Sequence, residues 1–375
     1  MDDRLLRLLA QLEETVDLDE QAAIDGLHQR ALGWEPVGRL PLVLAYPLPE
    51  DSAYEPYPHG EALDDPAKML YNELVHAFGT SAVHHPSVGD DLPATIRANM
   101  GTGIVASLFG GRIQRMGDDP PWVEPLQSKD AYAAIVERDP RDYAQGWCPT
   151  VIERYRYYRE TLADYSRLAG LVRLVLPDLQ GPLDTVELLV GSRVYIDLYE
   201  RPEQVYGALE AVAVAQVGLA KLLTEQTNDG PVGMSHQHAT AVRGNILIRN
   251  DSSILVSAKM HRELVAPHDG HVLTEMGGGG IHSCGRMEHL AAAYLSLPGI
   301  QCIDLGQPEM NDLDAIYGKA EAAQVSLVRV DLPAEQIASG EVMRRFPTGV
   351  SLFHQADTLA QAQEIMRAYR AATGA

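Results

Sequence analysis

GGGGIHSCGRME, residues 277 to 288, ends a short predicted strand and leads into an apolar run that is typical of a helix. The four glycines predict a helix C-cap and a tight turn, because the Lys-Ser/Thr of a phosphate-binding loop does not follow them. Residues two apart in a strand project to one side, so His282 and Cys284 share a face. That spacing suits two ligands of one tetrahedral zinc ion, although a buried cysteine beside a structural histidine is the commoner arrangement. The position of this pair in the fold therefore decides between the two interpretations.

Short β-rich runs alternate with longer helical patterns on both sides of this stretch. The eight runs are Leu42–Tyr46, Ala82–Pro86, Leu171–Leu176, Asn245–Arg249, Gly280–Ser283, Ile300–Leu305, Val325–Val330 and Val350–His354. Strands that alternate with helices pair in parallel, and eight such units predict a closed α/β fold, the (β/α)₈ TIM barrel. The barrel spans residues 36–375, and residues 1–35 form N-terminal helices packed on it. An open, doubly wound sheet is the alternative.

Two segments lie outside the regular alternation. An insertion between strands 2 and 3 contains Ile104–Gly110, a candidate extra strand, and a helix near Glu153–Ala169. Before the fourth strand, Ser235-His236-Gln237-His238 follows Asp229-Gly230-Pro231 and is predicted to be a solvated loop. Such a loop could close over a substrate.

Polar side chains recur where the predicted strands end. They are Tyr46, His84, His85, Asp178, Gln180, Asn250, Asp251, His282, Cys284, Asp304, Gln307, Asp331 and His354. Active sites of barrels of this kind lie at the C-terminal ends of the strands, so this edge is the predicted active site. Asp and Asn also cap helices. For Asp251, before Ser252-Ser253, and for Asp331, before Leu332-Pro333, capping is an equal alternative.

The composition limits the classes of partner. The 375-residue chain has 52 Asp and Glu against 30 Lys and Arg, a net charge of −22, which argues against nucleic acid or a polyanionic substrate. Its three cysteines are too few for a secreted disulfide framework. We see no signal segment and no apolar run near the ~20 residues of a membrane span. A cytoplasmic enzyme or binding protein, free of membrane and able to form a homodimer, is expected.

Several motifs from Gly181 to the C-terminus resemble one superfamily. They are Gly181-Pro182-Leu183-Asp184-Thr185, Arg201-Pro202-Glu203-Gln204-Val205, Asn250-Asp251-Ser252-Ser253, Glu263-Leu264-Val265-Ala266-Pro267 and Ile281-His282-Ser283-Cys284-Gly285. Together they resemble the uroporphyrinogen decarboxylase superfamily, and within it most closely the cobalamin-dependent methyltransferases and coenzyme M-handling enzymes. The last motif corresponds to the H-x-C-G of that group.

The methyltransferase resemblance implies a zinc site. In that branch the His and Cys of H-x-C bind zinc together with a second Cys near the last strand. Here that region is Gly349-Val350-Ser351-Leu352-Phe353-His354, without a cysteine, and His354 stands about where the third ligand would be. Imidazole is an acceptable zinc ligand, so His282, Cys284 and His354 are the predicted ligands, with one coordination position open.

The same resemblance implies the chemistry. A thiol bound to zinc ionises near neutral pH and attacks a methyl group carried on cobalt, or another activated carbon. The corrinoid would be carried by a partner protein, and the other substrate would be a small thiol or methylated compound. Asp178, Asp251 and Asp304 are candidates to orient groups or relay protons. The candidate cofactor contacts at the strand ends are Tyr46, Gln180 and Gln307.

The decarboxylase branch is the alternative. It has an arginine-rich motif after strand 1 that holds substrate carboxylates, whereas Arg39-Leu40-Pro41-Leu42-Val43-Leu44 is followed here by Ala45-Tyr46-Pro47. A substrate with many carboxylates needs charged donors. In Gly89-Asp90-Asp91-Leu92-Pro93, Asp90 corresponds loosely to the catalytic aspartate of that branch. A metal-independent decarboxylase or lyase with Asp90 and His354 as polar anchors, or a barrel that only binds a ligand, therefore remain alternatives.

Overall fold

The structure is a computed structural model that describes residues 3–76, 79–117, 119–229, 233–237 and 239–374. Its strands are β1 Leu42–Ala45, β2 Thr95–Ile96, β3 Arg112–Met116, β4 Asp119–Glu124, β5 Arg173–Leu174, β6 Met234–Gln237, β7 Thr240–Arg243, β8 Leu247–Arg249, β9 Gly279–Ser283, β10 Ile300–Leu305, β11 Ser326–Val330 and β12 Val350–Gln355. The last five correspond to runs 4 to 8 of the sequence prediction.

Helices occupy most of the connections between these strands. They are α1 Asp3–Thr15, α2 Leu18–Leu32, α3 His59–Asp64, α4 Pro66–Val75, α5 His85–Val88, α6 Ile104–Leu108, α7 Ala131–Val136, α8 Cys148–Leu162, α9 Ser166–Leu171, α10 Pro182–Val190, α11 Val194–Glu200, α12 Pro202–Thr224, α13 Ala258–Met260, α14 Ala266–Glu275, α15 Ala291–Tyr294, α16 Leu313–Ala323, α17 Ala334–Ala338, α18 Val342–Arg345 and α19 Leu359–Thr373. A π-helix, His261–Val265, connects α13 to α14, and short 3₁₀ helices occupy Ala82–His84, Asp251–Leu255 and Pro308–Met310.

Six strands form a parallel central sheet in the order β1-β12-β11-β10-β9-β8. Strands β2 and β5 form a separate parallel pair, and a parallel bridge from Gln180 to Arg249 joins the segment after β5 to β8. This strand order is compatible with a TIM-barrel-like fold, as predicted. The ladder is not closed, however, because no pairing between β1 and β2 is found within the described residues.

Side chains connect β1 to the chain just before β2. Asp90 Oδ2 accepts a hydrogen bond from the Leu44 amide at 2.9 Å, and Asp91 Oδ2 accepts one from the Leu42 amide at 2.9 Å. The Asp91 amide in turn donates to the Leu42 carbonyl at 2.8 Å. Buried amides need acceptors, and here two carboxylates take the place of a neighbouring strand. We call this contact the β1 seam.

Two predicted strands are wrong. Ala82–Pro86 is a 3₁₀ turn followed by α5, and the strand at this position in the chain is β2. Pro86 lies in the first turn of α5, where its missing N–H costs nothing, whereas a ladder would lose a hydrogen bond there. Ile104–Gly110 contains the buried helix α6 rather than an extra strand, since a short apolar run does not distinguish the two structures.

The predicted loop around His236 is also wrong. His236 lies in β6, which pairs antiparallel with β7 in a hairpin, and its side chain is 3% exposed. Its Nδ1 bonds Asp229 Oδ1 at 2.6 Å. The turn between the strands includes Ala239 at φ 58°, a conformation that tight hairpin turns require. His238 lies outside the described residues.

Helix α12, Pro202–Thr224, is long and apolar enough to cross a membrane by length and composition, which the sequence analysis did not anticipate. More than half of its most apolar stretch is buried inside the protein. The helix packs against α7, α10 and α14, as a core helix does.

Candidate metal centre

The H-x-C pair lies where β9 ends, beside the ends of β8 and β10. The strand register places His282 next to Asp304 of β10 and Arg249 of β8, and Asp251 is the second residue after β8. His282 and Cys284 are 31 and 33 positions from Asp251 in the chain, yet parallel pairing brings the three side chains to the same sheet edge. The predicted position of the pair is confirmed.

The ligand atoms of Asp251, His282 and Cys284 lie within 4.8 Å of one another. His282 Nε2 is 3.3 Å from Cys284 Sγ and 3.6 Å from Asp251 Oδ1. The Cys284 amide also donates to Asp251 Oδ1 at 2.7 Å, which holds the carboxylate beside the thiol. One nitrogen, one sulfur and one oxygen ligand form an acceptable zinc set, and three protein ligands leave one position for a substrate.

The other ring nitrogen of His282 is hydrogen-bonded to a carboxylate. Its Nδ1 bonds Asp304 Oδ2 at 2.7 Å, and Asp304 is buried. A carboxylate that accepts the second N–H of a ligating histidine fixes the ring orientation and makes the free nitrogen a better ligand. Burial acts to raise the pKa of Asp304, but His282, Arg329 and Arg249 together lower it, so this carboxyl group is ionised near neutral pH. Asp304 is thus a positioning residue for His282.

Two glycines leave room for this arrangement. A Cβ atom at Gly306, just after β10, would lie 2.7 Å from Cys284 Sγ and 2.9 Å from His282 Cε1. Both distances are shorter than side chains tolerate, so any larger residue there would displace the two ligands. Gly285 turns the chain directly after Cys284 at φ 74°, a conformation that glycine adopts without strain.

The Cys284 thiol is protonated at neutral pH in this environment. Burial, together with the carboxylates of Asp251 and Asp304, raises its pKa to about 12, and Arg249 acts in the opposite direction. A thiol binds zinc as the thiolate, so metal binding here would release a proton. The donor set and the space beside Gly306 fit a zinc ion.

A cavity of about 600 Å³ opens from these ligands toward α10 and the β3–β4 hairpin. Its lining residues are Thr102, Trp122, Val123, Pro125, Asp178, Gln180, Asp184, Glu187, Leu188, Gly191, Ser192, Arg249, Asp251, Ser252, His282 and Cys284. Five of the predicted site residues therefore line one cavity: Asp178, Gln180, Asp251, His282 and Cys284. We call it the active-site cavity.

Asp178 lies between two buried arginines at the base of this cavity. Arg249 Nε donates to Asp178 Oδ1 at 2.8 Å, and Arg97 Nη1 donates to Asp178 Oδ2. Sequence analysis missed Arg97, the buried ion-pair partner of Asp178. Arg97 follows β2 directly, and a strand of two residues gives no detectable pattern.

Besides Asp304, four predicted site residues lie outside the active-site cavity. Tyr46 donates its hydroxyl to the Ser81 carbonyl at 3.1 Å, and Asp90 belongs to the β1 seam, where its Oδ1 also bonds His85 Nδ1 at 2.7 Å. Gln307 Oε1 accepts from the Gly285 amide at 2.7 Å, so it supports the turn after Cys284. His354 Nδ1 bonds Asp331 Oδ1 at 2.7 Å.

The cluster of candidate ligands contains Asp251 in the place predicted for His354. Strand β12, which bears His354, is three positions from β9 in the sheet, whereas Asp251 follows the adjacent strand. Sequence analysis singled out Asp251 as a catalytic or capping residue, not as a ligand.

Comparison with known proteins adds a similarity in fold to solved structures. No protein-family model and no curated protein match the chain. Among solved structures, a methyltransferase from Methanosarcina mazei superposes with a TM-score of 0.65 at 18% sequence identity. The alignment covers 94% of this chain and 98% of that one, and at this identity it shows that the two proteins share a fold.

Proposed function

We propose that this protein is a zinc-dependent methyl or alkyl transferase that acts on a thiol, with a corrinoid-bound methyl group as the donor. The observation that carries the proposal is the Asp251–His282–Cys284 cluster at the ends of β8 and β9, inside a cavity large enough for a small substrate. The similarity in fold to a methyltransferase supports it. The proposal includes an eight-stranded barrel of the uroporphyrinogen decarboxylase type, a cytoplasmic location and a partner protein that carries the corrinoid.

The residues of the cavity have distinct tasks in this proposal. Zinc bound to the cluster would lower the pKa of a coordinated substrate thiol until it ionises near neutral pH. Asp304 holds His282 in the tautomer that leaves Nε2 free, and Asp251 completes the ligand set. Arg249, fixed by Asp178, adds a positive charge beside the cluster that favours an anionic sulfur there.

The decarboxylase alternative has less support from the geometry. Its candidate catalytic residue, Asp90, is 2% exposed and accepts from the Leu44 amide and from His85. A group fixed in this way is a structural element of the β1 seam rather than an anchor for a substrate. Metal content separates the two functions, since the alternative requires no metal.

The first expected result is about one zinc per chain when the protein is purified without added metal, because three protein ligands suffice to hold a catalytic zinc. Inductively coupled plasma mass spectrometry of the intact chain measures this directly. Protein without bound zinc that also fails to take up added zinc would exclude the proposed function.

The second expected result concerns the third ligand. Asp251→Ala should weaken zinc binding, because Asp251 Oδ1 lies 3.6 Å from His282 Nε2, whereas His354→Ala should leave the zinc content unchanged. Competition with a chromophoric chelator measures both affinities. Zinc lost from His354→Ala and retained by Asp251→Ala would restore the ligand set expected from the resemblance.

A further inference from the structure

One wall of the active-site cavity is acidic. Asp184 and Glu187 are three residues apart on α10, so their side chains lie on the same face of the helix, and both line the cavity. Sequence analysis missed them because their spacing in Pro182–Val190 is also that of an ordinary solvated helix face.

One carboxyl oxygen of Asp184 lacks a hydrogen-bond partner among the described residues. The residue is 5% exposed, its Oδ1 accepts from the Ser252 amide at 3.2 Å, and its Oδ2 is buried without a hydrogen-bond partner among the described residues. A buried polar atom without a partner costs free energy, so its presence beside a cavity calls for a donor from a ligand. Glu187 accepts from Tyr195 at 2.7 Å and from the Ser252 hydroxyl, and both bonds use Oε2. Its second oxygen accepts no hydrogen bond from the described residues.

Some of the acidic groups that line the cavity are paired with basic side chains and others are not. Asp178 is paired with Arg97 and Arg249, and Asp251 belongs to the metal cluster. Among the described residues, neither Asp184 nor Glu187 has an ion pair with a basic side chain. Burial and the neighbouring Asp251 raise the pKa of Asp184 well above its usual range. A cation placed beside the two carboxyl groups would offset the cost of keeping them away from water and would favour their ionised forms.

An aromatic side chain completes this part of the cavity. Trp122 lies in β4, lines the cavity and is 59% exposed. An exposed indole next to acidic groups suits a cationic ligand, since the face of the ring attracts positive charge.

We infer that the active-site cavity binds an amino thiol, a substrate whose ammonium group donates N–H bonds to Asp184 and Glu187 while its sulfur lies toward the Asp251–His282–Cys284 cluster. Ser252 connects the two ends of the substrate site, because its amide bonds Asp184 and its chain neighbour is Asp251. The inference rests on the function proposed above and names the acceptor for it.

Calorimetric titration of the zinc-loaded protein with two probes tests the inference. The probes are 2-aminoethanethiol and 2-mercaptoethanol, which have the same length but end in an ammonium and a neutral hydroxyl group. Hydrogen bonds to charged groups predict at least ~10-fold tighter binding of the amine. Asp184→Asn and Glu187→Gln should each reduce this preference to about threefold or less. Glu203→Gln, an exposed residue of α12, makes the same charge change and should leave the preference intact.

Equal affinity for the two probes in the wild-type protein would overturn the inference. A preference that persists in both Asp184→Asn and Glu187→Gln would also overturn it, because chelation of zinc by the amine would then explain it. If these variants fold poorly, Trp122→Leu provides the test at an exposed position. It should weaken binding of 2-aminoethanethiol several-fold and that of 2-mercaptoethanol little. Equal effects on the two probes would contradict the inference.

A titration of metal-free protein with ethylammonium and ethanol separates the two proposals. Ethylammonium should bind more tightly, and Glu187→Gln should remove the difference. If the protein holds no zinc but shows this result, the proposed function fails and the ammonium site stands. If zinc is present but ethylammonium binds no more tightly than ethanol, the inference fails and the proposed function stands.

Discussion

Cys284→Ala is expected to lose bound zinc and the proposed transferase activity together. Its thiolate is one of the three proposed ligands. Loss of even a residue behind a ligand costs roughly 10–100-fold in metal affinity, so loss of a ligand should cost more than ~100-fold. The fold should survive, because the site lies where β9 ends rather than among the buried apolar side chains. Elemental analysis, with circular dichroism as the check on folding, measures this.

Cys302→Ser is the matched control for this experiment. Cys302 lies in β10, is fully buried and is not a member of the ligand cluster. Asp304→Asn should have a smaller effect, because it keeps the shape of the residue that bonds His282 Nδ1. It should lower the affinity for zinc by roughly 10–100-fold. Full zinc occupancy in Cys284→Ala, or equal loss in Cys302→Ser, would show that the cluster does not hold the metal.

Asp178→Asn is expected to lower the free energy of unfolding more than any other substitution named above. The change leaves the buried guanidinium groups of Arg97 and Arg249 without their shared counter-ion, and breaking a buried ion pair in this way costs roughly 3–5 kcal/mol. The shift in the midpoint of urea denaturation measures the effect.

Asp314→Asn is the control for that measurement. Asp314 pairs with Arg345 at 2.6 Å on the surface, where its side chain is 67% exposed. An exposed pair contributes about 0–1 kcal/mol, so this variant should denature close to the wild type. Similar midpoints for the two variants would mean that the arginines at the base of the active-site cavity find other partners or water.

The sequence predicts the second half of the fold better than the first. Strands β8 to β12 are short apolar runs between helical patterns, and each lies within about two residues of its predicted bounds. In the first half, β2 and β5 have two residues each, too few for any period to be visible. Ala82–Pro86 forms a helical turn because Pro86 fits the first turn of a helix and would remove a ladder hydrogen bond from a strand.

The site was predictable where it depends on spacing within one strand. His282 and Cys284 share a face because the strand period is two, which the sequence alone shows. The third member, Asp251, comes from another strand, and its approach depends on the register of β8 against β9. Asp184 depends on the packing of α10 over the 3₁₀ turn that begins at Asp251, which no local pattern contains.

The β1 seam bears on the order in which the chain can fold during synthesis. The ladder partner of β1 is β12, about 300 residues later in the chain. At ~5–20 residues per second, a ribosome needs on the order of 15–60 s to deliver it. Asp90 and Asp91 emerge within about 50 residues of β1, and their carboxylates bond the amides of Leu44 and Leu42. These bonds cover the edge of β1 that faces away from β12, because Pro41 and Ala45 bond β12 and the residue after it, whereas Leu42 and Leu44 bond the carboxylates. One of the two edges of the nascent first strand is thus shielded from pairing with other chains long before β12 exists.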